Sequence, residues 1–406
     1  MILFLLVAAF AAAAQAPNPL SLSEAVSRAL ATHPLLTAGT GRVQVSEGLR
    51  RQAGLRPNPR LNIQTENIRN WGSPGFHFPS QADTFAFLSQ RIETASKRDH
   101  RVEVAATGLR VAQAERDVLG QQIAGRVKQA YWLAAGAHSG RDIIIETMHS
   151  FDQVVAYHQA RVREGAMAEV DLIRVQIERD RLSLAANNAA IDAERALIAL
   201  FREMGASDFP EVAFSEALDP GGLPAILGAD PQTALERRGE AALARIVVER
   251  TRAVAALEQA HAKPDVETAF GYKRSAGFDT LMGGIYLDLP FANRNQGNIA
   301  AAAAAVRVAE SSLAATEALI RAEVSSARRD LEIRRRQFEE SFRTLRDRSD
   351  ESARIARAAY QQGGLDLLRL LDAERIQLET RLLYTRALAE YRQSIAALET
   401  AMGMTQ

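Results

Sequence analysis

Two stretches of this chain carry apolar residues at three- to five-residue intervals and contain no proline. From about Ser96 to Arg163, Val104, Leu109, Ala112, Val118, Ile123, Val127 and Tyr131 follow that spacing, which predicts one continuous helix. Its 67 or so residues would span roughly 100 Å at ~1.5 Å each. Gly165 breaks the pattern, and a second helix is expected over about 169–204. The plan then recurs, with a helix over about 293–362, a break at Gly363-Gly364 and a helix over about 365–402. Heptad-like spacing at these lengths predicts antiparallel coiled-coil packing. The run Ala300 to Ala305 has no bulky side chain, so it leaves room for a neighbouring helix to come close.

Four shorter segments alternate with the two-residue period of strands, over about 60–70, 82–92, 264–274 and 279–289. Leu61, Ile63 and Thr65 share one face of the first, opposite Arg60, Asn62, Gln64 and Glu66. In the third, Val266, Thr268, Phe270 and Tyr272 lie opposite Asp265, Glu267 and Lys273. The other two are more apolar on both faces. Each has about the 9–11 residues that a tilted strand needs to cross a bilayer. Trp71-Gly72-Ser73-Pro74-Gly75-Phe76 and Ser275-Ala276-Gly277-Phe278 read as exposed loops with aromatics near a lipid boundary. A soluble four-stranded sheet packed on the helices fits the same alternation.

The 13 prolines fall within 17–79, within 210–264 and at 290, so they bracket the strands and the middle of the chain and leave the helices clear. Pro59 and Pro264 precede strands, Leu88 and Leu287 close them, and Met204-Gly205 and Met402-Gly403 end the halves. Val175 to Leu182 also lines up with Leu371 to Leu378, sharing Glu-Arg at an offset of 196. These matches, in one order, predict an internal duplication. The expected organisation is a signal peptide over 1–16, a first repeat over 17–209, a connector over 210–231 and a second repeat over 232–406. Each repeat reads helix, two strands, very long helix, turn, helix. The first helix is expected from Ser21 or Ser23, where Ser21-Leu22-Ser23-Glu24 resembles a capping box.

Composition removes several function classes. Lys+Arg and Asp+Glu are equal at 49 each, so no overall field favours nucleic acid. Cysteine is absent, which excludes disulfides, thiolate metal sites and a lipid anchor on cysteine. Ile2 to Ala14 is apolar and Ala14-Gln15-Ala16 is an A-x-A-like cleavage site, so export is expected. No other stretch reads as apolar over 18 residues. The seven histidines form no HExxH and no ligand pair at helical spacing, and no phosphate loop or nucleophile elbow occurs. No catalytic residue, metal site or cofactor is expected. Runs such as Arg334-Arg335-Arg336 read as solvated helix faces.

Lipid-exposed sheet edges are not tolerated, and four strands are too few to close a barrel, whereas three chains pooling four strands each would give twelve. Here the chain resembles the outer-membrane efflux proteins of the TolC type, most of all their heavy-metal branch. Leu20-Ser21-Leu22-Ser23-Glu24-Ala25 with His33-Pro34 looks like the family's first helix. Leu88-Ser89-Gln90-Arg91-Ile92-Glu93 with Lys97-Arg98, and Leu287-Asp288-Leu289-Pro290-Phe291 with Asn293-Arg294-Asn295, resemble its strand-to-helix junctions. Leu370-Leu371-Asp372-Ala373-Glu374-Arg375 resembles the start of its last helix. Arg91 stands where the second junction has Pro290, a departure that the sequence does not explain.

The resemblance implies a mainly α fold with a small β part, assembled as a homotrimer with a 12-stranded outer-membrane barrel continuous with a long periplasmic helical tunnel. It implies a passive exit duct for an inner-membrane pump, of the RND type or another, joined through a periplasmic adaptor (membrane fusion) protein. Outer-membrane lipid would be a further partner. The adaptor-docking tips would be Gly165, Ala166, Met167, Gly363, Gly364 and Leu365. Asp372 matches an acidic position of the tunnel constriction, while Arg174 and Arg369 replace aspartates there. Asp171 and Asp366 precede those arginines by three residues, so a constriction and plain intrahelical pairs are both open. A soluble periplasmic coiled-coil scaffold is the rival from another class, and a periplasmic enzyme with helical arms is a third.

Overall fold

The computed structural model describes residues 19–69, 75–219 and 230–404. The expected signal segment, Trp71 to Pro74 of the first strand loop and much of the connector lie outside the described residues. Along the chain, β1 (Pro19–Leu20) leads into α1 (Leu22–Thr32), α2 (Pro34–Ala53), β2 (Arg60–Glu66), α3 (Phe78–Gln81) and β3 (Asp83–Ile92). Then come α4 (Lys97–Arg163), α5 (Glu169–Met204), β4 (Ala213–Phe214), α6 (Pro231–Arg237) and α7 (Gly239–His261). The rest is β5 (Val266–Ser275), β6 (Phe278–Leu287), α8 (Gln296–Gln337), α9 (Arg343–Gln361) and α10 (Leu367–Ala401).

Where one opening helix was expected there are two. A proline disfavours helical angles at the residue before it, and His33 adopts φ −61°, ψ 125° ahead of Pro34. The Ser21 hydroxyl caps α1 by accepting from the Glu24 N–H at 3.1 Å. The other half of the capping box does not form, because the Glu24 carboxylate pairs with Arg28. The first long strand stops at Glu66, short of the expected 70, since Asn67 turns into the left-handed region at φ 60°.

Described residues up to Leu36, with Leu119–Arg237 and Ile320 onward, form one compact unit, while Thr37–Val118 and Arg238–Leu319 form another. Each unit therefore draws on both halves of the chain. The second unit holds the sheet, in the order β2-β3-β5-β6, antiparallel throughout. Ala276 and Gly277, at φ 52° and 86°, make the two-residue turn between β5 and β6. At the foot of the sheet Lys97 is buried and donates to Asp265 Oδ1 and to the Lys263 carbonyl, both at 2.6 Å. That bond ties the start of α4 to the start of β5.

In the first unit Ile123, Val127, Tyr131 and Trp132 of α4 pack on Leu197, Leu200 and Phe201 of α5 and on Ala25, Val26 and Ala29 of α1. The buried Tyr131 hydroxyl donates to the Leu20 carbonyl at 2.9 Å and also meets the Glu216 carboxylate. Helix α4 runs antiparallel to α10, with Gly125 against Thr400 and Gly136 against Ala389. A Cβ on Gly136 would lie 2.6 Å from the Ala389 Cβ, so only glycine permits this approach. Gly136→Ala is expected to cost about 1–3 kcal/mol through overpacking, measured as a shift in thermal or denaturant midpoint. An unchanged midpoint would mean the helices sit further apart.

Two histidines make this unit sensitive to acid. Burial, then Arg126, lowers the His33 pKa against the opposing Glu203, and its Nδ1 accepts from the Leu35 N–H at 3.1 Å. Burial, then Arg141, lowers that of His138 against Asp142, Glu194 and Glu211. A folded pKa below the unfolded 6.5 contributes stability that is complete above 6.5 and is lost as pH falls. The melting temperature is therefore expected to drop from about pH 7 to about pH 5. It should drop less in a His33→Asn/His138→Asn variant, and equal drops in both proteins would exclude these residues as the cause.

The second long helix is not uniform, because Phe338–Phe342 forms a five-residue π-helical turn between α8 and α9. The buried positions give the reason. Val324, Leu331 and Phe338 follow one another at seven residues, but below the turn burial resumes at Ser349 and Ala353, and Ala353 falls one residue later than that spacing requires. One surplus residue has entered the heptad, and the wider turn absorbs it. The helical span Gln296–Gln361 also contains one 18-residue window apolar enough to cross a membrane, with mean hydropathy 1.3. By that measure the expectation of no second apolar stretch does not hold, although the window is only 11% buried.

Candidate functional site

The two helix breaks are built alike. The Gly165 N–H donates to the Val162 carbonyl and the Ala166 N–H to the Arg161 carbonyl, at 3.0 and 2.9 Å. Gly363 repeats the first bond to Tyr360 and Gly364 the second to Ala359, at 3.0 and 2.9 Å. Both are Schellman caps with the glycine left-handed, at φ 72° and 75°. A Cβ on either glycine would meet no atom within 4 Å, so the backbone angle and not crowding demands the residue. Gly205 and Gly403 close the following helices with the same motif. Both glycine pairs are 198 residues apart, and so are the caps Ala168 and Asp366. The Glu-Arg match at 196 is two residues out of this register, so those residues do not occupy equivalent places.

The structure brings the two tips together over one apolar cluster. Phe151 of α4, Val175 of α5, Ala356 of α9 and Leu367 and Leu370 of α10 are buried in it, with Leu365 packed against them. His158, fully buried, joins α4 to α9 here: its Nδ1 lies 2.8 Å from the Val154 carbonyl and its Nε2 2.8 Å from the Tyr360 hydroxyl. The carbonyl can only accept, so Nδ1 carries a proton. Gly165, Ala166, Gly363 and Gly364 are exposed, while Met167 and Leu365 are half-buried. Each tip thus presents small residues followed by one apolar knob.

The charged candidates sit in the first turns of α5 and α10. Arg174 lies 3.7 Å from Asp171, Arg369 lies 3.4 Å from Asp366 and Arg375 lies 2.7 Å from Asp372, each pair three residues apart on one helix. Asp366 also caps α10, accepting from the Arg369 N–H at 3.0 Å. All these side chains are at least about a third exposed, so each pair contributes little stability. At the 198-residue offset Asp171 corresponds to Arg369 and Arg174 to Asp372. Equivalent positions in the two repeats carry opposite charge.

A second functional surface is the sheet. Directly opposed residues share a face, so Leu61, Leu88 and Phe270 form one row and Ile63, Ala86, Tyr272 and Leu281 the next. This face is apolar and uncovered: Ile63, Leu281 and Ile285 are 71, 75 and 76% exposed. The opposite face mixes Arg60, Asn62, Gln64, Arg91, Glu267 and Lys273 with Phe85, Phe87, Met282 and Tyr286. Among the described residues, both outer strands, β2 and β6, leave an unpaired edge. A sheet packed against helices would hide its apolar face, and this one does not.

Helix α5 has two apolar seams. Ala186, Ala193 and Leu200 are buried, whereas Val170, Ile177, Leu184, Ile191 and Ile198, also seven apart, are exposed. The seams are two residues out of phase and so lie on nearly opposite sides of the helix. The exposed seam is written in the sequence but is masked there by the equally regular buried one. Nothing in the sequence marks His158 or Tyr360.

Residues 25–206, which include most of the first repeat, match the family profile described as outer membrane efflux protein. Over that stretch the chain is similar to that family. It is an outer-membrane protein that extends into the periplasm. Among the chain's relatives, the cobalt-zinc-cadmium resistance protein CzcC of Cupriavidus metallidurans is 23% identical, covering 96% of this chain and 91% of its own. The nickel and cobalt resistance protein CnrC of the same organism is 26% identical, covering 77% and 72%. Two solved structures share the fold. CusC, described as forming a transmembrane channel, has TM-score 0.76 at 19% identity, covering 94% and 92%. The open state of the Neisseria gonorrhoeae MtrE outer membrane channel has TM-score 0.77 at 17%, covering 95% and 89%.

Proposed function

We propose that this efflux protein is the outer-membrane exit duct of a tripartite assembly, passively conducting substrate that an inner-membrane pump delivers. The observation that carries this is a sheet with an exposed apolar face, a more polar opposite face and two edges that are open among the described residues. A sheet in lipid must close on itself, and three copies supply the twelve strands of a barrel whose polar face lines the lumen. The two-seamed α5 supports the same assembly, because a helix with opposed apolar seams belongs between two neighbours, and the second neighbour comes from another copy.

In this reading Gly165, Ala166, Met167, Gly363, Gly364 and Leu365 meet the periplasmic adaptor. Asp171, Arg174, Asp366, Arg369 and Asp372 ring the narrow end of the tunnel. The pump is of the RND type or another kind. The names of the relatives point to divalent transition-metal ions as cargo. The first test is envelope fractionation with an unheated denaturing gel. A heat-sensitive trimer in the outer membrane is expected, and a soluble periplasmic monomer would establish the scaffold instead. For the constriction, Arg369→Ala should change single-channel conductance in a planar bilayer, and an unchanged conductance removes that residue from the ring. For the cargo, a deletion strain should lose tolerance to cobalt, zinc, cadmium or nickel; loss of tolerance to dyes alone would reassign it.

A further inference from the structure

Near the tips the two repeats carry charges of opposite sign. Asp171 stands where α10 has Arg369, Arg174 where it has Asp372 and Arg181 where it has Glu379, each pair 198 residues apart. On either helix three and then seven residues separate these positions, so all three share one face. The capping glycines and the caps Ala168 and Asp366 have the same offset, which puts each pair at one height above its own tip. Arg174, Arg181, Arg369, Asp372 and Glu379 are exposed and Asp171 is half-buried, and none of them enters the apolar cluster beneath the tips. Within the chain they meet neighbours on their own helix: Arg174 lies 3.7 Å from Asp171 and Asp372 2.7 Å from Arg375. Such exposed pairs contribute little stability. They also do not explain why the second repeat reverses the sign at every one of these positions.

In a duct of three copies the two repeats alternate around the axis, so equal heights set Asp171 beside Arg369 and Arg174 beside Asp372. A ring of one sign around a narrow passage would repel itself and concentrate ions of the opposite sign. A ring of alternating sign attracts its own neighbours and leaves little net field along the axis. We infer that the narrow end is a charge-balanced ring, in which Arg369 and Arg174 remove the preference for cations that Asp171 and Asp372 alone would impose. Arg181 and Glu379 repeat the arrangement further along. Only Glu178, level with Ile376, is left over on this face, and Arg181 holds it at 2.7 Å. The ring therefore suits small solutes of either sign, and a metal gains no easier passage as a bare dication than as an anionic or neutral complex. The inference rests on the duct reading and on its placing of these residues at the narrow end.

The test is a charge exchange in the full chain, read as the permeability ratio of potassium to chloride in planar bilayers under a salt gradient. Salt stays below ~0.1 M, where the Debye length is about 10 Å or more. The wild type should show little preference. Arg369→Asp should raise the ratio about tenfold and Asp171→Arg should lower it about tenfold, because a passage lined by one sign concentrates its counter-ions by at least that order. The double variant Asp171→Arg/Arg369→Asp, with the two signs exchanged, should return to the wild-type ratio. A double variant that stays displaced would overturn the balanced ring, as would a ratio that neither single variant moves or a wild type that already prefers one ion about tenfold. If a reversal prevents trimer formation, Arg369→Gln and Asp171→Asn should give smaller shifts of the same directions, and no shift in either would overturn the ring equally. A wild-type protein that forms no trimer and no channel would instead refute the duct reading itself.

Discussion

Arginine in place of Leu281 should keep this protein out of the outer membrane, while arginine at Met282, the next residue, should leave it there. Leu281 lies near the middle of β6, 75% exposed, in the row with Tyr272, Ala86 and Ile63. If that row faces lipid, a guanidinium there costs about 2–4 kcal/mol per chain near the bilayer midplane. Three copies multiply the penalty, because each barrel would carry the charge three times. Met282 points to the other face, opposite Gly271, where a water-filled lumen would accept an arginine at little cost. Outer-membrane fractions and the unheated gel read both variants. The contrast between neighbours matters more than either result. Equal tolerance at both positions would mean that the apolar face is not in lipid, and equal loss would mean that β6 tolerates no change at all.

Helical spacing made the long helices legible because an apolar seam must recur along the whole length of a buried face. The ends of α4 and α5 needed only Gly165, whose left-handed angle no other residue adopts as cheaply. The tips were therefore visible as breaks, but the cluster beneath them was not. Phe151, Val175, Ala356 and Leu370 come from four helices, and spacing within one helix cannot say which others it meets. The π-helical turn was hidden for another reason: one surplus residue in a 66-residue span leaves the local pattern of apolar positions looking regular. The split at His33-Pro34 could have been read from the proline. The 196-residue Glu-Arg match misled because similar words on a heptad helix recur by chance at shifted phase, and only the glycine caps fixed the register at 198. The charged candidates were legible only as Asp–Arg pairs at three-residue spacing, because spacing along one helix does not say what such pairs face.

Gly271→Val should prevent the protein from assembling. Gly271 lies opposite Phe87 at the junction of β3 and β5, the only strand pairing between the two hairpins of the sheet among the described residues. A Cβ there would stand 2.3 Å from the Ala86 carbonyl oxygen and 2.4 Å from the Phe87 Cα. Both atoms belong to backbone, so no side-chain rotation relieves the clash, and the strands must part. Parting them breaks ladder hydrogen bonds that water cannot replace within a bilayer, and the loss should exceed about 4 kcal/mol, the exceptional end of single substitutions. The expected result is a chain that folds its coiled-coil unit, with helical circular dichroism largely kept, yet gives no trimer and no outer-membrane fraction. Gly283→Val, in the neighbouring strand, meets only the Ala269 carbonyl oxygen at 3.9 Å and should assemble. A Gly271→Val protein that still forms the heat-sensitive trimer would show that β3 and β5 do not approach as closely as this, and that the two halves of the chain are joined in the barrel by some other pairing.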